Sequence, residues 1–140
     1  MMRLAIGQAK RAKENGEVAV GAVIARGGEV VAVGNNQVET FKDPTLHAEI
    51  VAIRAAAAAV SNFRLNGLTL YVTLEPCPMC AGAILLSRLD KLVFGAYDSR
   101  AGCAGSIYRV TEDPVFTHFT PAYGGVLQKE CEQLLRESWR

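Results

Sequence analysis

Apolar and polar positions along the chain change between two periodicities, one helical and one extended. Over residues 2–15 apolar side chains recur every three to four positions, which predicts an amphipathic helix. Residues 18–25 form a continuous apolar run, as expected for a strand that is covered on both faces. Gly27-Gly28 then turns the chain into a second strand over Glu29–Gly34, so the two strands are predicted to form a hairpin.

Helices and strands continue to alternate after the hairpin. Asp43-Pro44 combines an N-cap residue with a proline at the first helical position, which predicts a helix from there to about Val60. The remaining predicted elements are a strand over 68–74, a helix from Pro76 or Pro78 to about Arg88, a strand over 92–95, a glycine-rich loop over 95–105 and a last helix over 127–139. This order predicts an α/β fold, in which a mixed sheet carries helices on both faces.

Length, charge and cysteine content narrow the class of protein. A chain of 140 residues suits one domain over residues 1–140, and a net charge of +1 gives no overall attraction to nucleic acid. No apolar stretch reaches the ~18 residues of a membrane span, and residues 1–6 lack the features of a secretion signal. We therefore expect a cytoplasmic protein with no membrane contact. The four cysteines are not expected to form a disulfide framework in such a protein.

Two short segments carry the candidate chemistry: His47-Ala48-Glu49 and the segment from Pro76 to Cys80, Pro-Cys-Pro-Met-Cys. One histidine and two cysteines are three metal ligands, and a zinc ion held by only three protein groups keeps a fourth position for water, as in catalytic sites. The glutamate two residues after the histidine is placed to move the protons of that water. This H-x-E…P-C-x-x-C pattern is typical of zinc-dependent nucleobase deaminases.

The spacing of these residues predicts how they converge. Cys77 and Cys80 share one face in the first turn of a helix because they are three residues apart. His47 and Glu49 are two apart, so they can converge only at a helix end, and Asp43-Pro44 places His47 near such an end. We therefore predict that two helix N-termini point at one zinc ion, where their partial positive charge favours thiolates.

The same residue types also occur in three other kinds of site. A C-x-x-C pair alone is compatible with a redox protein, which would leave the His-x-Glu segment without a role. A structural zinc site would need a fourth ligand, and His118 is the one further histidine. A zinc-stabilised RNA-binding module without catalysis would not need the side chain of Glu49.

Beyond these motifs, the chain resembles the bacterial tRNA-specific adenosine deaminases, a family within the cytidine deaminase-like superfamily. The resemblance extends over nearly the whole chain and is carried by residues 16–22, 43–49, 70–83, 93–98, 104–106 and 125–127. It implies the three-layer αβα cytidine deaminase-like fold with about five strands in the sheet. It further implies a homodimer with one zinc ion per subunit, bound by His47, Cys77 and Cys80, and with Glu49 as the catalytic residue.

The implied reaction is the hydrolytic deamination of adenosine to inosine at the wobble position of a tRNA anticodon. The anticodon stem-loop would be the substrate, and the base would be flipped into the zinc pocket. The closest alternative is a deaminase of a free base or nucleoside, such as guanine or cytosine, on the same fold. The segment from Gly102 to Ser106 favours the tRNA substrate.

The resemblance also implies six substrate contacts: Asn36 for a hydrogen bond to the base, Val20 for an apolar wall, Ala48 for a backbone amide to the ring, Asp98 for the nucleotide backbone, Arg100 for a phosphate, and Pro76. On the sequence alone, Asn36 is equally well explained as an asparagine in a turn, and Val20 looks the same as a valine in a buried strand. An acidic loop residue such as Asp98 is more often simply solvated. Ala19 and Thr117 stand where the family usually has proline and asparagine, and the second change bears on the contact with the anticodon loop.

Overall fold

The chain builds one five-stranded sheet from alternating helices and strands, and the computed structural model describes residues 1–139. The elements are α1 (Met2–Glu14), β1 (Gly21–Arg26), β2 (Glu29–Asn35), α2 (Val38–Phe41), α3 (Ala48–Val60), β3 (Thr69–Leu74), α4 (Pro78–Leu86), β4 (Lys91–Ala96), a 3-10 turn (Val110–Glu112), β5 (Ala122–Tyr123) and α5 (Gln128–Ser138).

The strand order is β2-β1-β3-β4-β5, and the sheet is mixed. Strand β1 pairs antiparallel with both β2 and β3, whereas β3, β4 and β5 run parallel to one another. The turn between β1 and β2 uses Gly27 at a φ of +57°, in the left-handed region that glycine adopts without strain. The predicted hairpin and the predicted mixed sheet are therefore confirmed.

Alternate residues of the central strands belong to two separate apolar clusters. Ile24, Leu70 and Leu92 share a cluster with the alanines of α3 and with Ile84 of α4. Their sequence neighbours Val23, Tyr71 and Val93 instead pack in a cluster with α1 and α5. Both faces of the sheet are covered, which is why its central strands are continuous apolar runs and do not alternate with polar residues.

The start of α3 corrects one sequence prediction. The helix begins at Ala48 with His47 as its N-cap, and not at Asp43-Pro44. The Asp43 carboxylate instead accepts hydrogen bonds from the amide (2.9 Å) and the hydroxyl (2.6 Å) of Thr45, which closes a local turn. The prediction was wrong because the side chain of an aspartate can stabilise a turn as well as a helix end. The short helix α2, which directly precedes this turn, was not predicted.

One edge of the sheet gathers the ends of several elements. The parallel strands β3 and β4 both end there, at Leu74 and Ala96, while β1 begins and β2 ends at the paired residues Gly21 and Asn35. In open α/β sheets this edge, outside the carboxyl ends of the parallel strands, is where ligands bind.

Within residues 1–139 no helix has both the length and the apolar content that a membrane crossing requires.

Candidate active site

Two helix N-termini bring the three candidate metal ligands together. His47 is the N-cap of α3, Cys77 is the N-cap of α4, and Cys80 lies one turn further along α4, after Pro78 at its first position. The Nδ1 atom of His47 lies 3.5 Å from Sγ of Cys77 and 3.6 Å from Sγ of Cys80. All three donor atoms lie within 4.8 Å of one another.

The arrangement of these donors fits a tetrahedral zinc ion. Bond lengths of about 2.0–2.1 Å to nitrogen and 2.3 Å to sulfur place neighbouring tetrahedral ligands roughly 3.5 Å apart, which is the separation observed between nitrogen and sulfur here. Within residues 1–139 this is the one group of three or more potential ligands that lies close enough to hold a metal, and it has three members. A zinc ion held by three protein groups retains a position for a further ligand.

The site also favours the ionised thiol that a metal requires. The hydrogen bond between the two cysteines lowers the pKa of Cys77; burial opposes this change and the hydrogen bond with His47 adds to it, so that the pKa falls to about 4. The same pairing, together with burial, raises the pKa of Cys80. The hydrogen bond with Cys77 raises the pKa of His47. A thiolate already present at neutral pH is a ready metal ligand, and metal binding displaces the remaining proton.

Glu49 lies in the first turn of α3 and is 4% exposed. Burial raises the pKa of its carboxyl from 4.5 to about 7. A carboxyl with a pKa near neutrality exchanges protons in both directions, which is the property of an effective general acid–base.

A cavity of about 560 Å³ opens beside these residues, and His47, Glu49 and Cys77 form part of its lining. Its volume lies within the range of small-molecule sites. Five of the six predicted substrate contacts also line it: Val20, Asn36, Ala48, Asp98 and Arg100. Pro76 is buried and does not line the cavity; its carbonyl oxygen accepts a hydrogen bond from the Cys103 amide at 2.8 Å.

Three of these lining residues have other contacts as well. The Asn36 side chain donates to the Val18 carbonyl (3.4 Å) and accepts from the Val38 amide (3.3 Å), so it also holds the turn into α2. Asp98 Oδ1 accepts from the Arg100 amide at 3.0 Å. The guanidinium of Arg100 lies 4.8 Å from the centroid of the Trp139 ring, in the range of a cation–π contact.

The cavity-lining residues that sequence reasoning missed include Trp139, Glu17 and Glu75. Glu17 is 2% exposed and accepts hydrogen bonds from the amides of Glu39 (3.0 Å) and Thr40 (2.7 Å) and from the Thr40 hydroxyl (2.7 Å). Burial raises the pKa of Glu17, but these hydrogen bonds outweigh burial and leave it below its usual value. The one available signal was the position of each glutamate beside an apolar strand.

The start of α3 is seated against β2 at Gly34. A Cβ atom at this position would overlap the carbonyl oxygen of Ala48 and lie 2.6 Å from the amide nitrogen of Ala52. Glycine therefore lets the helix backbone approach the strand directly. This contact sets the depth of the helix turn that carries His47 and Glu49.

The chain is similar to known proteins over most of its length. Residues 1–96 match the family model of the cytidine and deoxycytidylate deaminase zinc-binding region. A tRNA-specific adenosine deaminase of Bacillus subtilis is 46% identical over 139 residues, a match that covers 99% of this chain and 86% of the relative.

Solved structures give the same result for the fold. A structure from studies of A-to-I editing by tRNA:A34 deaminases at the wobble position of transfer RNA has a TM-score of 0.91 and 41% identity, covering 96% of this chain and 97% of the other. The guanine deaminase of Bacillus subtilis has a TM-score of 0.67 and 31% identity, covering 97% and 90%. The cytidine deaminase-like fold implied by the sequence is confirmed. The chain belongs to the zinc-binding cytidine and deoxycytidylate deaminase family and, within it, to the tRNA-specific adenosine deaminases.

Proposed function

We propose that this protein is a zinc-dependent hydrolase that converts adenosine to inosine at the wobble position of a tRNA anticodon, with release of ammonia. One observation carries the chemistry: the buried Glu49 lines the same cavity as His47 and Cys77, two members of the three-donor metal cluster, and the cavity has the size of a small-molecule site. The tRNA substrate is supported by similarity to tRNA-specific adenosine deaminases over nearly the full chain.

His47, Cys77 and Cys80 would hold the zinc ion, which in such a site acidifies a bound water to a pKa of about 7. Glu49 takes a proton from the attacking water and gives it to the ring nitrogen beside the reacting carbon. It then takes the second proton from the oxygen that has added to that carbon and gives it to the departing amine, so that ammonia leaves and a carbonyl remains. Proton transfer by a positioned side chain contributes about 10²–10⁴ in rate.

The cavity can receive a base only after the base has left its stack, and an anticodon loop offers bases that are already single-stranded. In this proposal the Asn36 amide and the Ala48 backbone bind the base, and Val20 packs on it. Asp98 contacts the nucleotide backbone and Arg100 a phosphate, because a guanidinium suits phosphate geometry.

We also propose that the protein is a cytoplasmic homodimer. Exposed small side chains on α3 support a close helix contact between subunits: Ala55, Ala58 and Ala59. Light scattering of the zinc-loaded protein tests the dimer, because one chain has a mass of 15.0 kDa. A species with the mass of one chain at the assay concentration would contradict it.

Parallel assays with different substrates test the substrate assignment. The purified, zinc-loaded protein is offered an anticodon stem-loop with adenosine at the wobble position, and in parallel free adenosine, guanine and cytosine. We expect inosine in the stem-loop and an equal amount of ammonia. The second candidate, a guanine deaminase, is favoured by the 31% identity to the Bacillus subtilis enzyme. Ammonia from guanine alone would establish that candidate and overturn the proposal.

A further inference from the structure

Glu75 is a buried carboxylate that follows β3 and is 2% exposed. It accepts hydrogen bonds from one loop. Its Oε1 atom accepts from the Asp98 amide (3.0 Å) and from the Ser106 hydroxyl, and its Oε2 atom accepts from the amides of Ala104 (3.0 Å) and Ser106 (2.9 Å). Within residues 1–139 it forms no ion pair with a lysine, arginine or histidine. The negative charge of Glu75 is therefore matched by backbone amides.

The loop over residues 98–106 wraps closely around this carboxylate. A Cβ atom at Gly102 would overlap the carboxyl group of Glu75, so glycine is what permits the approach. The loop contains no helix or strand, and backbone hydrogen bonds hold it as well. Gly102 donates to the Asp98 carbonyl and Cys103 to the Pro76 carbonyl, and the second half of the loop is bonded to residues 107–110. Four hydrogen bonds from the loop nevertheless end on the Glu75 carboxylate, and this side chain is what joins Asp98 at one end of the loop to Ala104 and Ser106 at the other.

The same loop carries Asp98 and Arg100, which both line the cavity. The Asp98 amide is one of the donors to Glu75, and the Asp98 side chain in turn holds the Arg100 amide. A change at Glu75 is therefore transmitted to both lining residues through a chain of two hydrogen bonds.

We propose that Glu75 is a positioning residue that fixes Asp98 and Arg100 where the nucleotide backbone of the substrate binds. It does not touch the reacting atoms. This inference rests on the proposed function, because it assigns the loop to the RNA backbone. It predicts that Glu75 controls substrate binding, whereas the metal ligands and Glu49 control the chemical step.

The variant Glu75→Gln should affect the two ends of the loop differently. With its carbonyl oxygen turned toward Ala104, glutamine keeps both acceptor contacts at that end. Its NH₂ group can donate to the Ser106 hydroxyl, which rotates to accept, but it faces the Asp98 amide as a second donor. The substitution therefore releases Asp98 selectively. Glu112→Gln is the matched control, because the Glu112 carboxylate accepts an amide hydrogen bond from Ala122 (2.9 Å) but does not line the cavity.

Single-turnover kinetics with an anticodon stem-loop measures binding and chemistry separately. We expect Glu75→Gln to raise the half-saturating enzyme concentration about tenfold, the size of one lost charge-assisted hydrogen bond. The rate at saturation should stay within about threefold of the parent rate, and the zinc content should be unchanged. Glu112→Gln should leave both kinetic values unchanged. Loss of zinc, a fall in the saturating rate alone, or no effect would each overturn the proposal.

Hydrogen exchange of the parent protein is a second test, which needs neither that variant nor the substrate. The amides of Asp98, Ala104 and Ser106 should exchange more slowly than the amide of Ser99, which lies in the same loop. Equal exchange rates would overturn the anchoring role. If the parent instead shows these protected amides but makes no inosine, the proposed function fails while the loop anchor stands.

Discussion

Replacing Gly34 by alanine tests how closely α3 must approach the sheet. The added methyl group would overlap the Ala48 carbonyl and lie 2.6 Å from the Ala52 nitrogen. Both neighbours are backbone atoms of a helix, so neither can rotate away. The φ angle of Gly34 is not in the left-handed region, so the clash and not backbone strain determines the outcome.

The size of the effect follows from overpacking. Inserting a methyl group where there is no room destabilises a protein by about 1–3 kcal/mol. For a chain of 140 residues each kcal/mol corresponds to roughly 3–4 °C in Tm, so we expect Gly34→Ala to lower Tm by about 3–12 °C. Because Ala48 lies between His47 and Glu49, the displaced helix should also lower kcat, and a shift of about 1 Å can reduce a rate by about 10²-fold.

Gly7→Ala is the control variant, which we expect to stabilise the protein rather than destabilise it. Gly7 is exposed within α1, and an added Cβ atom would meet nothing within 4 Å. Alanine in place of glycine in a helix should therefore stabilise the protein by about 0.5–1 kcal/mol. Urea unfolding and steady-state kinetics of both variants, each fully loaded with zinc, give the comparison. A Gly34→Ala protein as stable and active as the parent would refute the close seating of α3 on β2.

Three further predictions concern the site. Glu49→Gln should lower kcat by about 10²–10⁴ with zinc content unchanged, measured by inosine release and metal analysis; full activity would contradict its role as the proton carrier. Glu17→Gln should reduce the loss of stability that occurs as the pH falls. The lowered pKa of Glu17 stabilises the folded state above the ordinary value of 4.5, and this contribution is lost as the pH falls through the folded-state pKa. Urea unfolding from pH 7 to pH 3 measures this, and parallel curves for parent and variant would exclude it. Removing zinc with a chelator should abolish turnover and lower Tm, with both restored by added zinc, whereas turnover that persists without metal would exclude the zinc chemistry.

Local sequence spacing was sufficient to predict the metal cluster. Cys77 and Cys80 are three positions apart, and a helix start brings His47 and Glu49 to one end, so the convergence at two helix N-termini depended on short-range geometry. The error in the start of α3 did not change this result, because the true N-cap is His47 itself. Strand β5 has two residues and leaves no periodicity to detect.

Local sequence patterns could not predict the two buried carboxylates that bind backbone amides. Glu17 and Glu75 bind backbone amides that lie more than twenty residues further along the chain, and backbone donors have no residue signature. Trp139 reaches the cavity because α5 packs against the sheet, which is a tertiary contact. These residues could be assigned only when the strand ends and the loop were seen together.

A crystal structure of the zinc-loaded protein tests the central claim most directly. We predict a tetrahedral zinc ion bound by His47, Cys77 and Cys80, with a water molecule as the fourth ligand within hydrogen-bond reach of Glu49. A fully occupied ion whose fourth ligand is another protein side chain would make the site structural and would contradict the catalytic function.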